Sequence, residues 1–422
     1  MQVREGYKKT EVGVIPEDWG VKKFGELAVI DPDNLTSSTA PDYSFKYVAL
    51  EDIDNGILRN ITELIFKNAP SRARRKIKNG DILLSTVRPN LKSHFWVKEE
   101  VKDWICSTGF SVVRCKENIT HPGFIFSHLF SFIIGKQIDS LITGSNYPAI
   151  NSNDVKSLQV PIPPTLSEQT TIATALSDTD ALINSMEQLI TKKRAIKQGA
   201  MQELLTGKRR LPGFSGEWEV VKLADVADKN IQWSITGGPF GSNLKTSDYV
   251  SDGVRIIQLQ NIGDGVFHND YSIYTTDKKA NELISCNIYP GEIILSKMGD
   301  PVARACLIPN SDKRYLMASD GIRLVVDKRR FDKRFVHGYI NSVYFRKKAI
   351  EASTGSTRQR IGLSDLKKLP FIAPPLSEQT AIAEILSDID SEIKTLEQKL
   401  NKYRQIKHGM MQELLTGRTR LI

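Results

Sequence analysis

The amino-acid sequence predicts a mixed α/β protein built as a tandem duplication. Two mixed α/β globular domains related by pseudo-twofold symmetry are separated by two long antiparallel α-helices that form a coiled coil. Three observations carry this reading. The segment Leu166 to Leu211 returns as Leu376 to Leu421, matching at 28 of 46 aligned positions without a gap. Within each copy the apolar residues follow a heptad spacing, and outside the copies short alternating apolar runs such as FSVVR and IRLVV point to strands, with helical stretches between them.

Fainter echoes delimit the rest of each module. GDILLS (Gly80–Ser85) answers GEIILS (Gly291–Ser296), STGFSVV (Ser107–Val113) answers SDGIRLV (Ser319–Val325), and TGSNYPAI (Thr143–Ile150) answers TGSTRQRI (Thr354–Ile361). The openings around Trp19 and Trp218 also correspond. The expected domains are therefore a globular part at 1–160, a helix at 161–212, a second globular part at 213–372 and a second helix at 373–422. The globular halves have diverged while the helices have not.

The chain of 422 residues, 40% hydrophobic and 25% charged, is large enough for separate cores. The N-terminal residues lack the apolar core of a signal peptide. The longest apolar stretch, Phe124 to Ile134, is too short to span a bilayer and is expected to be a buried helix. Four cysteines without a CxxC pair, and six histidines at no metal-binding spacing, fit reduced thiols in a cytoplasm and no metal site. Of the net charge of +9, the helical segments hold +2, so the basic excess belongs to the globular parts. It gathers in the runs Ser71–Lys78, Asp327–Arg334, Phe345–Lys348 and Thr357–Arg360. Each alone is more often a solvated face than a binding surface; their recurrence in both halves favours a polyanion, of which nucleic acid is the commonest.

Each helix is bounded by its sequence. Pro163-Pro164 and Pro374-Pro375 bar an earlier start, Ser167 and Ser377 supply candidate N-caps, Glu168 and Glu378 suit the positive end of the helix dipole, and Gly207 and Gly417 close the run. The second copy places Ile382, Leu386, Ile389, Ile393, Leu396, Leu400 and Tyr403 in alternating steps of four and three, which is a coiled-coil seam. The first keeps the register at Ile172, Leu176, Ile183, Met186 and Ile190, with Thr179 and Lys193 as weak points. Two separate surface helices are the alternative, but such helices rarely sustain so narrow a seam. An antiparallel pairing of the two would hold the globular parts at opposite ends of a rod. The MQELLTG surface, present twice, would suit a second partner that itself comes in two copies.

The PPLSEQ helix entries, the heptad segments, the QELLTGKRRLPGF exit and the TGSxxxxI loop ahead of each proline pair together resemble the specificity subunit of type I restriction-modification systems, across the whole chain. The resemblance implies two target recognition domains and a non-catalytic reader of double-stranded DNA. It also implies two partner modification subunits, which transfer methyl from S-adenosylmethionine to adenine N6, and restriction subunits, which use ATP and magnesium. No cofactor is expected on this chain. The motifs agree: no GxxxxGK[ST] run and no Asn/Asp-Pro-Pro-Tyr string occurs, and GGPFGS (Gly237–Ser242) lacks the spacing of a cofactor loop. A self-contained nuclease is the rival reading, resting on a loose match at Pro41-Asp42 and Glu100-Val101-Lys102.

The candidate DNA-binding residues lie in two pairs of loops. Gly144, Ser145, Asn146 and Tyr147 stand before the first helix, and Gly355, Ser356, Thr357, Arg358 and Arg360 before the second. Small residues there allow close approach to phosphate, and arginines reach base edges. A plain turn is the alternative. Ser85, Arg88 and Asn90, with Ser296 and Lys297 in the other copy, close a strand and either read DNA or cap the strand's end. The resemblance points to these loops as DNA-facing. No catalytic residue is expected.

If the helices set the distance between two readers, inserting four residues after Lys192 adds about one turn, near 6 Å. With base pairs about 3.4 Å apart, the unread spacer of the methylated site should lengthen by one or two base pairs while both half-sites keep their sequence. Sequencing the methylated sites of cells carrying the insertion tests this; an unchanged spacer in an active complex would show that the helices are not the ruler.

Overall fold

The structure is a computed structural model that describes residues 4–144, 148–355 and 358–421. It divides into two compact units, Met1–Gln188 with Gln398–Ile422 and Leu189–Glu397. Each globular part thus takes with it the stretches of both long helices that pack on it.

In the first unit, two sheets share the globular part. One has the order Phe95–Trp96, Ile82–Ser85, Phe110–Cys115, Ala28–Ile30, antiparallel throughout. The other has the order Thr62–Ile65, Ser44–Val48, Trp104–Ser107, Ala73–Ile77, with Ser44–Val48 and Trp104–Ser107 parallel. The second unit repeats this plan. Its first sheet runs Ala305–Leu307, Ile293–Ser296, Gly321–Leu324, Ile235–Gly237. Its second runs Tyr249–Val250, Ile273–Thr275, Val254–Ile257, Tyr315–Met317, Asn287–Ile288, again with one parallel pair, between Val254–Ile257 and Tyr315–Met317. The central strands ILLS and IILS are buried on both faces, which accounts for their unbroken apolar runs. The duplication therefore extends through the diverged interiors, where sequence identity is lost but strand order is kept.

The apolar stretch Phe124–Ile134 is not one buried helix. It splits into Pro122–Leu129 and Phe132–Leu141, because the Ser131 hydroxyl caps the second by accepting from the Ile134 amide at 3.3 Å. Phe132 is left 79% exposed.

The long helices run Leu166–Leu204 and Leu376–Leu414, 39 residues each. Both start one residue ahead of the serines expected to cap them. The cap of the first is Thr165, whose hydroxyl accepts from the Glu168 amide at 3.3 Å. In the second, the Pro375 carbonyl takes the Glu378 and Gln379 amides. Gly207 and Gly417 close the helices with φ of +72° and +69°, the left-handed conformation that a helix terminus favours.

Within each unit the two helices pair antiparallel. In the first unit, Asp180 of the first helix meets Lys407 of the second at 2.5 Å and Glu187 meets Arg404 at 2.6 Å. In the second unit, Lys193 meets Glu392 at 2.8 Å, Arg194 meets Glu397 at 2.6 Å and Lys197 meets Asp390 at 2.6 Å. The seam residues Ile172, Leu176, Ile183, Met186, Ile190, Ile382, Leu386, Ile393 and Leu400 are buried, and Ile389, Leu396 and Tyr403 are half-buried. At the ends the seam merges with the domain cores. Ile172 and Leu176 join Trp19, Phe24, Phe124 and Leu415 in the first unit, and Ile382 and Leu386 join Leu205, Phe335, Tyr339 and Phe371 in the second.

The duplicated LSEQ entry and LTGxxR exit meet each other. In the first unit Arg420 makes a two-pronged contact with Glu168 and reaches Asp18 at 3.1 Å. In the second, Arg210 donates twice to Glu378 at 2.6 Å, and the Trp218 indole N–H donates to the same carboxylate at 3.0 Å. The adjacent glutamines hold each helix to its own domain. Gln169 accepts from the His121 amide at 2.9 Å, and Gln379 accepts from the Asp332 amide at 3.0 Å.

Ile382→Ala opens a cavity where the seam meets the core and should cost about 2–5 kcal/mol. Ile385→Ala, on the exposed side of the same helix, should change stability by about 0.5 kcal/mol or less. Denaturant unfolding of the two variants measures the difference, and equal costs would contradict the assigned buried face.

Candidate functional site

The two loop groups singled out in the sequence come together in both units, and the same three backbone hydrogen bonds join them. In the first unit the Ile150 amide donates to the Thr86 carbonyl at 2.9 Å, the Arg88 amide to Pro148 at 2.7 Å, and the Thr86 amide to Gly109 at 2.8 Å. In the second, Ile361 donates to Lys297 at 2.9 Å, Gly299 to Gln359 at 3.2 Å, and Lys297 to Asp320 at 2.7 Å. Every donor and acceptor in the second set is its counterpart in the first plus 211, so Gly109 is matched by Asp320 and the echo of STGFSVV in SDGIRLV is one residue out of structural register. A reciprocal pair closes the outer loop in each unit: Thr143 with Ala149 and Thr354 with Arg360. The frame is therefore made of main chain, and side chains projecting from it are free to differ between the domains.

Gly144 and Gly355 are exposed and have φ of +90° and +98°, and at Gly355 a β-carbon would lie 2.6 Å from the Arg358 carbonyl oxygen. Only glycine fits there. Ser145, Asn146, Tyr147, Ser356 and Thr357 lie outside the described residues. Arg358 and Arg360 are exposed and make no ion pair among the described residues. Arg88 and Asn90 are also exposed, on a turn where Arg88 and Lys92 both adopt left-handed backbone, φ of 48° and 53°. Such conformations are costly for side chains other than glycine and cluster at functional sites.

Ser85 and Ser296 do not face outward. Both are buried at the strand ends; the Ser85 hydroxyl donates to the Val87 carbonyl at 2.8 Å, and the Ser296 hydroxyl accepts from the Arg304 amide at 3.0 Å. They shape the loops and offer no exposed group. The Ser85 amide donates to Nδ1 of His94 at 3.1 Å, and burial pushes His94 down to about 3, which keeps the ring a neutral acceptor. Lys297 is half-buried and its ammonium donates to the Ser319 carbonyl at 3.2 Å.

Most of the basic runs are internally paired. In Ser71–Lys78, Arg75 pairs with Asp31, Lys78 stands 3.7 Å from Asp33, and Arg74 lies over the Phe66 ring. In Asp327–Arg334, Arg329 pairs with Asp327 and Arg334 with Asp332. Buried Arg346 of the FRKK run meets Asp264, and Lys348 meets Glu351. The loop Thr357–Arg360 alone of the four runs presents arginines without such partners among the described residues. Composition could not separate these cases: Asp31, Asp33 and Asp264 come from distant parts of the chain, while Asp327, Asp332 and Glu351 lie within three residues of the cations they pair with. The loop-to-loop pairing had a usable signal: the two motif pairs share one offset.

The family model of the type I restriction modification DNA specificity domain matches residues 16–195 and again residues 215–405. The chain belongs to this family. It is 24% identical over 99% of its length, and 96% of the relative's, to the type I restriction enzyme MjaVIII specificity subunit of Methanocaldococcus jannaschii. Its fold resembles that of the HsdS subunit from Thermoanaerobacter tengcongensis, with a TM-score of 0.51 and 23% identity over 96% of this chain and 98% of that one. A chain from a structure of type I R-M complex assembly gives a TM-score of 0.62 at 22% identity, over 96% of this chain and 99% of that one. The protein is thus a type I specificity subunit with two target recognition domains. Nothing in these likenesses favours a self-contained nuclease. Asp42 and Glu100 are exposed, and among the described residues no three His, Cys, Asp or Glu side chains are grouped to hold a metal ion. No helix among the described residues is long and apolar enough to cross a membrane.

Arg358→Ala and Arg360→Ala remove exposed cations, so each should leave stability within about 0.5 kcal/mol of the parent. Each should weaken duplex binding roughly tenfold where it reads a base, or lower the salt slope by about one where it meets a phosphate. Binding titrations across salt concentrations decide; unchanged affinity and slope in both variants would remove this loop from the interface.

Proposed function

We propose that this chain reads a bipartite, asymmetric site in double-stranded DNA, one half-site per recognition domain, and scaffolds two modification subunits together with restriction subunits. The observation that carries the reading is the loop frame, built twice from the same main-chain hydrogen bonds and bearing different side chains each time. Thr86 in one domain stands where Lys297 stands in the other, and Arg88 where Gly299 stands. A frame that tolerates such exchange suits a reader whose target differs between its halves, since phosphate contacts position a protein while side chains on base edges specify sequence. The repeated helix exits, MQELLTG at Met201–Gly207 and Met411–Gly417, offer two like surfaces for two like subunits. The chain itself performs no chemistry in this reading. S-adenosylmethionine, ATP and magnesium act on the partner subunits, and the complex works in the cytoplasm where foreign DNA arrives.

Exchanging residues 15–158 for the equivalent region of another specificity subunit tests the one-domain, one-half-site reading. Sequencing of the methylated sites should show one half changed and the other retained. Simultaneous loss of both halves would mean that the domains read one continuous site.

A further inference from the structure

The glycine-rich segment GGPFGS, unsuited to a cofactor, follows the edge strand Ile235–Gly237 and runs along the loop frame of the second domain. Two of its three glycines, Gly237 and Gly238, stand in close quarters. A β-carbon on Gly238 would lie 1.8 Å from the Ala318 carbonyl oxygen, and one on Gly237 would lie 2.7 Å from the Lys297 ammonium. The Gly238 amide donates to the Gly321 carbonyl at 2.8 Å, which ties the segment to the central strand. Phe240 then opens a tight turn, its carbonyl accepting from the Asn243 amide at 2.8 Å. Phe240 is 83% exposed, while Leu244, four residues on, is in a core cluster.

Phe240 does not stand on a bare surface. With Gln258, Gln260, Ser319 and Asp320 it lines a concavity of about 290 Å³. Gln260 is exposed, and its side-chain Nε2 donates to Oε1 of the Gln258 side chain at 3.5 Å. A carboxamide has two N–H donors and a carbonyl acceptor, so Gln260 keeps one N–H and its own carbonyl for a ligand. Lys297 is bonded to two of these residues, its ammonium donating to the Ser319 carbonyl at 3.2 Å and its amide to the Asp320 carbonyl at 2.7 Å, and Arg360 neighbours that ammonium. Burial and the neighbouring Arg360 hold the Lys297 ammonium below the usual lysine range, while Asp320 opposes the shift. Two crowded cations gain from a polyanion laid across them.

We infer that the GGPFGS loop is a base-reading element of the second domain: Phe240 packs on the 5-methyl group of a thymine in the major groove, and the Gln260 carboxamide engages N6 and N7 of its paired adenine. An apolar contact to the thymine methyl and a carboxamide on adenine are the pairings that major-groove chemistry favours. The inference rests on the DNA-reading function proposed above. The first domain differs at the corresponding strand end. After its edge strand Ala28–Ile30 comes Asp31, whose carboxylate is engaged internally by Arg75, Ser111 and Ser152. At that place the first domain offers an engaged carboxylate where the second offers an exposed ring.

The test uses the full chain and a duplex bearing the site mapped from methylation, with uracil replacing thymine at one second-half position at a time. At one position, loss of the methyl group should weaken parent binding roughly fourfold, on the scale of one buried methylene. Phe240→Ala should bind the thymine duplex about fourfold more weakly than the parent and show no further loss with uracil. Gln260→Ala should bind roughly tenfold more weakly and relax the methylated sequence at that base pair alone. If no uracil position separates the parent from Phe240→Ala, or if Phe240→Ala binds every duplex equally less well, the ring is no methyl reader and the inference falls. Failure of the parent to prefer its mapped site over other duplexes would instead overturn the DNA-reading function itself. Phe240 is exposed, so its variant should keep the parent's unfolding midpoint, which separates lost reading from lost folding.

Discussion

The arrangement depends on a carboxylate buried in the first turn of each long helix. Glu378 is fully buried and Glu168 nearly so. A buried carboxylate is costly unless it is paired and hydrogen-bonded, and in each unit the partner is an arginine from the exit of the other helix, Arg210 or Arg420. The tryptophans mark the same junction. Arg210 lies over the Trp218 ring at 5.3 Å and Arg420 over Trp19 at 5.8 Å. Each domain core is thereby continuous with the start of one long helix and the end of the other. This is why LSEQ, the opening tryptophan and LTGxxR persist in both copies while the domain interiors do not.

That fixed junction leaves the recognition surface free to vary. The loops that face outward are joined through amides and carbonyls, and those groups are the same whatever the side chain. Sequence identity between the copies fades over these loops although the hydrogen-bond pattern repeats residue for residue. A reader whose frame relied on side-chain contacts would lose its shape with each change of target. Here an arginine, a threonine or a lysine can be exchanged on one loop while the strand beneath, capped by buried Ser85 or Ser296, stays as it is.

Much of the plan was legible in the sequence, and the exceptions share a cause. The repeat gave the module order, and the four-three spacing gave the buried helix face down to Leu400. What escaped depends on residues remote in the chain. The glutamates of LSEQ read as dipole-favoured residues because nothing local announces arginines 168 and 252 positions away. The run SRARRKIK read as a polyanion surface because Asp31 and Asp33 come from another strand's end. The helix caps lie two residues ahead of the serines expected to make them, because a threonine in one copy, and a bare proline carbonyl in the other, do that work. The apolar stretch at Phe124–Ile134 hid a cap, since Ser131 interrupts a helix only through its own hydrogen bond.

One further signal lay in the helices' charges. Acidic Asp180 and Glu187 come early in the first helix and basic Lys193, Arg194 and Lys197 come late; the second helix likewise carries Asp390, Glu392 and Glu397 before Arg404 and Lys407. Antiparallel pairing sets each acidic stretch against a basic one, whereas parallel pairing would set like against like. Exposed ion pairs contribute little individually, about 0–1 kcal/mol, but they discriminate between arrangements, as charges flanking a coiled-coil seam do. The two weak points of the seam act in the same direction. Lys193 is satisfied by Glu392 at 2.8 Å, and the Thr179 hydroxyl reaches the Met410 sulfur at 3.5 Å. A slip of one heptad would bring Lys193 to Lys399 in one direction and to Ile385 in the other, so this polar break penalises both neighbouring registers. The seam thus gives up some apolar burial and disfavours the alignments next to the observed one.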